Sequence, residues 1–75
     1  MASNKFGEFV RTERLRLGLT CQKFAEKIGI SQVQLSHIEN GKCLPRINSL
    51  DKYSNGLNVD KAFLTDLWLE DYGTK

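Results

Sequence analysis

Residues 20–40 read TCQKFAEKIGISQVQLSHIEN, and the pattern within them decides the fold. Thr20 and Ser31 are hydroxyl side chains standing just before apolar-periodic runs, where a helix N-cap belongs. Phe24, Ala25 and Ile28 share one face of the helix that follows Thr20, and Ile30 closes the turn behind it. Leu35 and Ile38 share one face of the helix that follows Ser31. Gly29 stands between the two, where the chain must turn with positive φ, a conformation that a Cβ penalises. Ala25 suits the point where the axes cross, because a larger side chain would hold them apart and change the crossing angle. The segment predicts two short helices joined by a tight corner.

The same signals recur outward from the corner. A first helix is predicted over 5–17, with Phe6, Val10 and Leu17 at helical spacing and Gly18 as its left-handed stop. The third helix ends near Asn40, with Gly41 as its stop. The loop GKCLPR carries the one proline, Pro45, ahead of a fourth helix over about 47–57. Arg46 has no capping side chain, which leaves this helix to start late, with Asn48 as the candidate cap. Asp60 caps a fifth helix over about 61–71. Three starts carry an apolar pair astride the cap: Leu19 with Phe24, Ile30 with Leu35, and Val59 with Leu64. That hydrophobic staple fixes the angle at which chain enters helix. Ser31 and Gln34 also fit the S-x-x-Q capping box. These agreeing signals predict one all-α, five-helix domain over 1–75, its core about 5–71.

Bulk properties restrict the function. The 75 residues suffice for one small domain, and 40% hydrophobic with 27% charged is ordinary globular composition. No signal peptide or apolar run of membrane-spanning length is present, so a soluble, cytoplasmic chain is expected. Cys21 and Cys43 form no CxxC and, with one histidine, make a poor zinc set; two reduced thiols are the expectation. No paired carboxylate, Gly-rich phosphate loop or nucleophile with an adjacent base marks an enzyme. No cofactor or metal is expected. Net charge is +2, but residues 1–52 hold nine Lys/Arg against five Asp/Glu and residues 53–75 two against four. The positive field therefore accompanies the corner and the negative one the tail.

The outer face of the third helix carries the functional signal. With Leu35 and Ile38 inward, Gln32, Val33, Ser36 and His37 face the opposite way. A helix serving only solubility carries Lys and Glu there, and this face is nearly uncharged. Gln pairs with adenine edges, Val packs on a thymine methyl, and Ser or His donates or accepts. The pattern points to a helix-turn-helix whose second helix reads bases in the DNA major groove. Idle polar surface is the rival reading of the same four residues. Phosphate contacts are expected at the start of the second helix, from Gln22 and Lys23, and beyond the third, from Asn40 and Lys42. Arg46 and Lys5 have the reach for phosphate or a minor groove. Gln34 is a further backbone candidate, with its box role competing for the side chain.

The order FG–V–R–ER–LGLT, FAEKIGIS, LSHIENGK and P–L–Y–GLNV resembles the lambda-repressor-like, Cro/C1-type helix-turn-helix family, also called the XRE family. The resemblance covers about 6–64. It implies a five-helix fold and sequence-specific DNA binding by a bacterial or phage-type regulator, usually a dimer on a palindromic operator. It also implies base-facing roles for Gln32, Val33, Ser36 and His37, and backbone contacts by Asn40 and Lys42. Arg14 matches a first-helix arginine that pairs with the glutamate represented here by Glu39, a structural tie. Cys21 departs from the pattern, since the family often has glutamine there touching phosphate, and Gln22 comes one position late. Arg46 departs too, standing where Ser or Thr is common.

The fifth helix offers Phe63, Leu64, Leu67 and Trp68 at helical spacing, with Tyr72 beyond. Either all serve the core or the excess, Trp68 above all, forms a symmetric partner surface. The first expectation is a repressor binding double-stranded DNA as a homodimer. The alternatives are an antitoxin-like or adaptor module that binds a protein partner on the same fold, and the DNA-binding fragment of a longer regulator.

Overall fold

The computed structural model describes residues 4–73. Five α-helices follow one another: α1 (Lys5–Arg16), α2 (Cys21–Ile28), α3 (Gln32–Glu39), α4 (Leu50–Leu57) and α5 (Lys61–Gly73), with no strand among the described residues. The capping chemistry is local and specific. Thr20 and Ser31 sit in extended backbone, and their hydroxyls accept from the Lys23 and Gln34 N–H groups at 3.1 and 3.0 Å. Asp60 Oδ1 accepts from Ala62 N–H at 3.0 Å at the start of α5. Gly18, Gly29 and Gly41 end α1, α2 and α3 with φ of 73°, 79° and 78°. Asn58, at φ 57°, does the same for α4.

The fourth helix starts late, as the missing cap at Arg46 requires, but two expectations need correction, the Asn48 cap and the place of Leu17. The fourth helix begins as a 3₁₀ turn, Ile47–Ser49, and becomes α-helical only at Leu50. Asn48 is exposed and caps nothing: neither start in this stretch has a side-chain cap. Without a capping acceptor, the tighter turn satisfies the first donor instead, through Ser49 N–H to Arg46 C=O at 2.8 Å. Leu17 lies past the last helical turn and is 40% exposed rather than part of the core.

One cluster of buried side chains forms the centre: Phe6 and Val10 from α1, Phe24, Ala25 and Ile28 from α2, Leu35 and Ile38 from α3, Leu50, Tyr53 and Leu57 from α4, and Leu64 from α5. Leu19, Ile30 and Val59, the outer halves of the three staples, pack against it partly buried. α1 is the hub, in contact with α3, α4 and α5, while α2 packs on α3 and α4. Two glycines permit close approaches in that packing. A Cβ at Gly56 would stand 2.5 Å from Ile28 Cγ2 and 3.0 Å from Phe24 Cε1, so α4 can lie on α2 only without one. A Cβ at Gly7 would run into the Ile38 carbonyl oxygen, and α1 meets the end of α3 there for the same reason.

Candidate nucleic-acid interface

α2 and α3 form a corner whose inner faces are sealed, with Phe24 and Leu35 at 0% exposure and Ala25 and Ile38 at 1%. What remains outward on α3 is the expected set. Gln32, Val33 and His37 are exposed and Ser36 is half-buried. Val33, at 64% exposure, is an apolar branched side chain left in solvent, a costly placement for a residue with no partner. Asn40 Nδ2 lies 3.4 Å from Ser36 Oγ, which links the outward face to the residue that leaves the helix. Gln34 is exposed, and its backbone N–H, held by Ser31, supplies one half of the capping box.

Around this face stand the residues expected to touch a phosphate backbone. At the start of α2 the Thr20 hydroxyl takes the Lys23 N–H, and the first amides, Cys21 and Gln22, have no partner inside the helix. The first turn of α2 holds no acidic side chain, so its positive end is uncompensated. Gln22 and Lys23 are exposed there, with Gln22 Nε2 3.5 Å from Glu26 Oε2. Cys21 is half-buried at the corner, with its Sγ 3.9 Å from the Gln32 carbonyl, and is a free thiol. Burial and the Glu39 carboxylate raise its pKa, against a smaller opposing pull from Arg14, so the neutral thiol is favoured. Beyond α3, Lys42 is exposed and its N–H donates to the His37 carbonyl at 2.9 Å, which shapes the turn around Gly41. Arg46 is exposed in extended chain. Lys5 stands elsewhere: its Nζ is 3.4 Å from Glu70 Oε2, beside α5.

A polar brace holds α3 at its far end. Arg14 Nε and Nη2 donate to Glu39 Oε2 and Oε1 at 2.8 and 3.1 Å, a bidentate pair with both residues under 9% exposed. The third guanidinium nitrogen donates to the Leu19 carbonyl at 2.8 Å. The hydrogen bonds to Glu39 raise the Arg14 pKa further, so the guanidinium keeps its charge. Asn4 Nδ2 donates to the Glu39 carbonyl at 3.1 Å. Residue choice alone missed Asn4, Gly7 and Asp71. Gly7 carried a signal, since a glycine inside a helix costs stability unless something must approach it. Asp71 carried another, as an acid in the last turn of a helix, where the dipole disfavours it.

The four apolar residues expected on a partner surface divide. Leu64 is fully buried in the core and is withdrawn from that role. Leu67 and Trp68 are half-buried against the core, and Phe63, 47% exposed, meets Phe9 edge-on at 4.9 Å. Trp68 Nε1–H donates to the Pro45 carbonyl at 2.7 Å, and its ring stacks on Tyr72 at 5.0 Å. At about 100° per residue, Phe63 and Tyr72 fall on opposite flanks of the buried line through Leu64 and Asp71. The exposed apolar surface of α5 is therefore two flanks, not one stripe. Among the described residues no helix is long and apolar enough to cross a membrane, and no cluster of metal-binding side chains occurs.

Comparison with known proteins agrees with this geometry. A helix-turn-helix family model matches residues 10–64. The DNA complex of the biofilm master regulator SinR is 32% identical, with 81% of this chain and 98% of that one covered and a TM-score of 0.74. The clp gene regulator ClgR from C. glutamicum (24% identity, 93% and 87% covered) superimposes with a TM-score of 0.72. The restriction-modification controller protein C.Esp1396I (23%, 92% and 88%) does so at 0.73, and for both the likeness is one of fold. No curated protein matches the sequence. The matched span, the SinR likeness and the braced corner assign the chain to the Cro/C1-type (XRE) family of helix-turn-helix proteins.

Proposed function

We propose that this protein is a DNA-binding transcriptional regulator, a repressor that occupies a palindromic operator as a homodimer. One observation carries the reading: the outward face of α3 bears no Lys, Arg, Asp or Glu and is exposed at Gln32, Val33 and His37, while candidate phosphate ligands stand at both ends of it. Gln32 has the donor and acceptor pair that an adenine edge requires, and Val33 the methyls that meet thymine. Ser36 and His37 read one turn deeper. The open amides of α2 with Gln22 and Lys23 take one phosphate strand, and Asn40, Lys42 and Arg46 take the other. SinR, similar in sequence as well as fold, is in complex with DNA in its structure.

A second copy of the chain docks on the Trp68–Tyr72 flank of α5. Trp68 is tied to Pro45, six residues past the end of α3, so a two-fold axis there keeps two reading helices close. Half-sites are about 34 Å apart. The domain measures 29 × 23 × 21 Å, so two copies in contact suit that spacing.

Selection of duplexes from a random pool tests the reading. A two-fold-symmetric consensus is expected, with retention falling steeply as salt rises. Gln32→Ala is expected to lose discrimination at one or two base pairs, worth about 1–3 kcal/mol, while Lys42→Ala weakens every duplex alike. Equal losses across sequences for both variants would remove the reading face. A monomeric sedimentation profile unaltered by Tyr72→Ala would remove the dimer.

A further inference from the structure

We infer that Asp71, at the end of α5, is a positioning residue for the reading helix, acting through the first turn of α1; the inference rests on the DNA-reading role of α3 proposed above. Asp71 is 1% exposed. Its Oδ1 accepts from the Lys5 N–H at 2.9 Å and its Oδ2 from the Phe6 N–H at 2.8 Å. These are the first two amides of α1, which have no partner inside their own helix. Asn4, the residue at the N-cap position of α1, has no capping side-chain bond. A carboxylate 66 residues away in sequence serves in its place.

The placement runs against the local preference of α5. A negative charge is unfavourable at a helix C-terminus and favourable at an N-terminus. Asp71 stands at the wrong end of its own helix and the right end of another, so the cap on α1 is what rewards its burial.

The turn that Asp71 caps is the one that carries the end of α3. Asn4, freed from capping, turns its amide to the Glu39 carbonyl. Gly7 presses against the Ile38 carbonyl, and Gly41 lies against Asn4 so closely that a Cβ would stand 2.8 Å from Asn4 Cγ. Further along the same helix Arg14 grips the Glu39 carboxylate. The main chain of Glu39 is thus held at the start of α1 and its side chain by the last turn of α1. From Glu39 to Gln32 the helix is about 10 Å long, so a tilt of roughly 5° moves the reading residues by about 1 Å. Base-edge hydrogen bonds have a useful range of only about 2.7–3.2 Å. Loosening the cap therefore costs sequence reading before it costs fold.

The test compares wild type with Asp71→Ala and Asp71→Asn at a temperature where circular dichroism shows each fully folded. The preference for the selected duplex over a random one is expected to fall about tenfold in Asp71→Ala. Asp71→Asn should lie between, because its one carbonyl oxygen keeps one of the two bonds. In the free protein, amide exchange should quicken at Gly41 and Lys42, whose N–H groups close the end of α3, and stay unchanged at Lys23. A stabilising role alone would weaken both duplexes by the same factor and leave their ratio unchanged; that result overturns the inference. If wild type prefers no duplex, the DNA reading fails by itself and exchange decides the clamp. Exchange quickened only at Gly41 and Lys42 upholds it, and a uniform change in all helices refutes it. Should Asp71→Ala not fold, Asp71→Asn carries both readouts.

Discussion

The corner between α2 and α3 and the junction of α1 with α5 are built from different kinds of contact. In the corner, each boundary is set within a few residues: Thr20 caps Lys23, Ser31 caps Gln34, and Gly29 turns the chain. At the junction the partners lie far apart in sequence, with Asp71 on the Lys5 and Phe6 amides and Asn4 on the Glu39 carbonyl. The corner gives α2 and α3 their mutual shape, and the junction holds the end of α3 against α1. Glu39 belongs to both, because it ends α3 and is held at two points, by Asn4 and by Arg14. A substitution at Glu39 should therefore disturb both regions at once.

The largest effect is expected there. Glu39→Ala leaves the Arg14 guanidinium buried with only the Leu19 carbonyl as partner, and should cost about 3–5 kcal/mol in urea unfolding. Arg14→Met combined with Glu39→Leu removes both charges and should recover most of that loss. A double variant as unstable as the single one would mean that the pair stabilises the fold as such, and not merely by sparing each other an unpaired burial.

The two regions also differ in how much could be read beforehand. Thr20, Ser31, Gly18, Gly29, Gly41 and the three staples set helix boundaries by short-range chemistry, and of the four helices that follow α1, three begin where those residues require. The exception, α4, lacks a capping side chain at Arg46 and starts with a 3₁₀ turn. The outward set on α3 follows from helical period alone once Leu35 and Ile38 are inward. The junction was not legible in that way. Asp71 looks like one more acid of an acidic tail, and only the antiparallel run of α5 on α1 brings it to the Lys5 and Phe6 amides. Apolar spacing likewise could not divide Leu64, a core residue, from Phe63 on the flank. The Arg14–Glu39 tie was anticipated only through the family resemblance, since 25 residues of intervening chain carry no local sign of it.

A pair of glycines separates direction from shape at the next level of effect. Gly7→Ala drives a Cβ against the Ile38 carbonyl, backbone that moves only if α1 and α3 part, and should cost about 1–3 kcal/mol. Gly29→Ala meets nothing within 4 Å and costs only the left-handed backbone, about 1–2 kcal/mol. Thr20→Ala, which removes one cap, should cost about 1 kcal/mol. Thermal unfolding of the three ranks them. If Gly29→Ala or Thr20→Ala exceeded Gly7→Ala, the corner rather than the junction would be the costlier region to disturb.

The smallest expected effect has the opposite sign. Tyr53 packs its ring edge-on to Phe6 at 5.5 Å, fully buried, yet its hydroxyl makes no hydrogen bond with any described residue. Tyr53→Phe deletes only that unsatisfied oxygen, so it should be neutral or stabilising by up to about 1 kcal/mol at pH 7. Burial raises the phenol above its ordinary pKa of 10.0. The folded chain then keeps a proton that the unfolded chain releases, so the wild type should lose stability relative to Tyr53→Phe as pH climbs past 10. Every other group is common to both proteins and cancels in the difference. A gap between the two unfolding curves that stays constant from pH 8 to about 11 would mean that the hydroxyl reaches water in the folded state. It would also open the packing of α4 on α1, the helix against which the end of α3 is held.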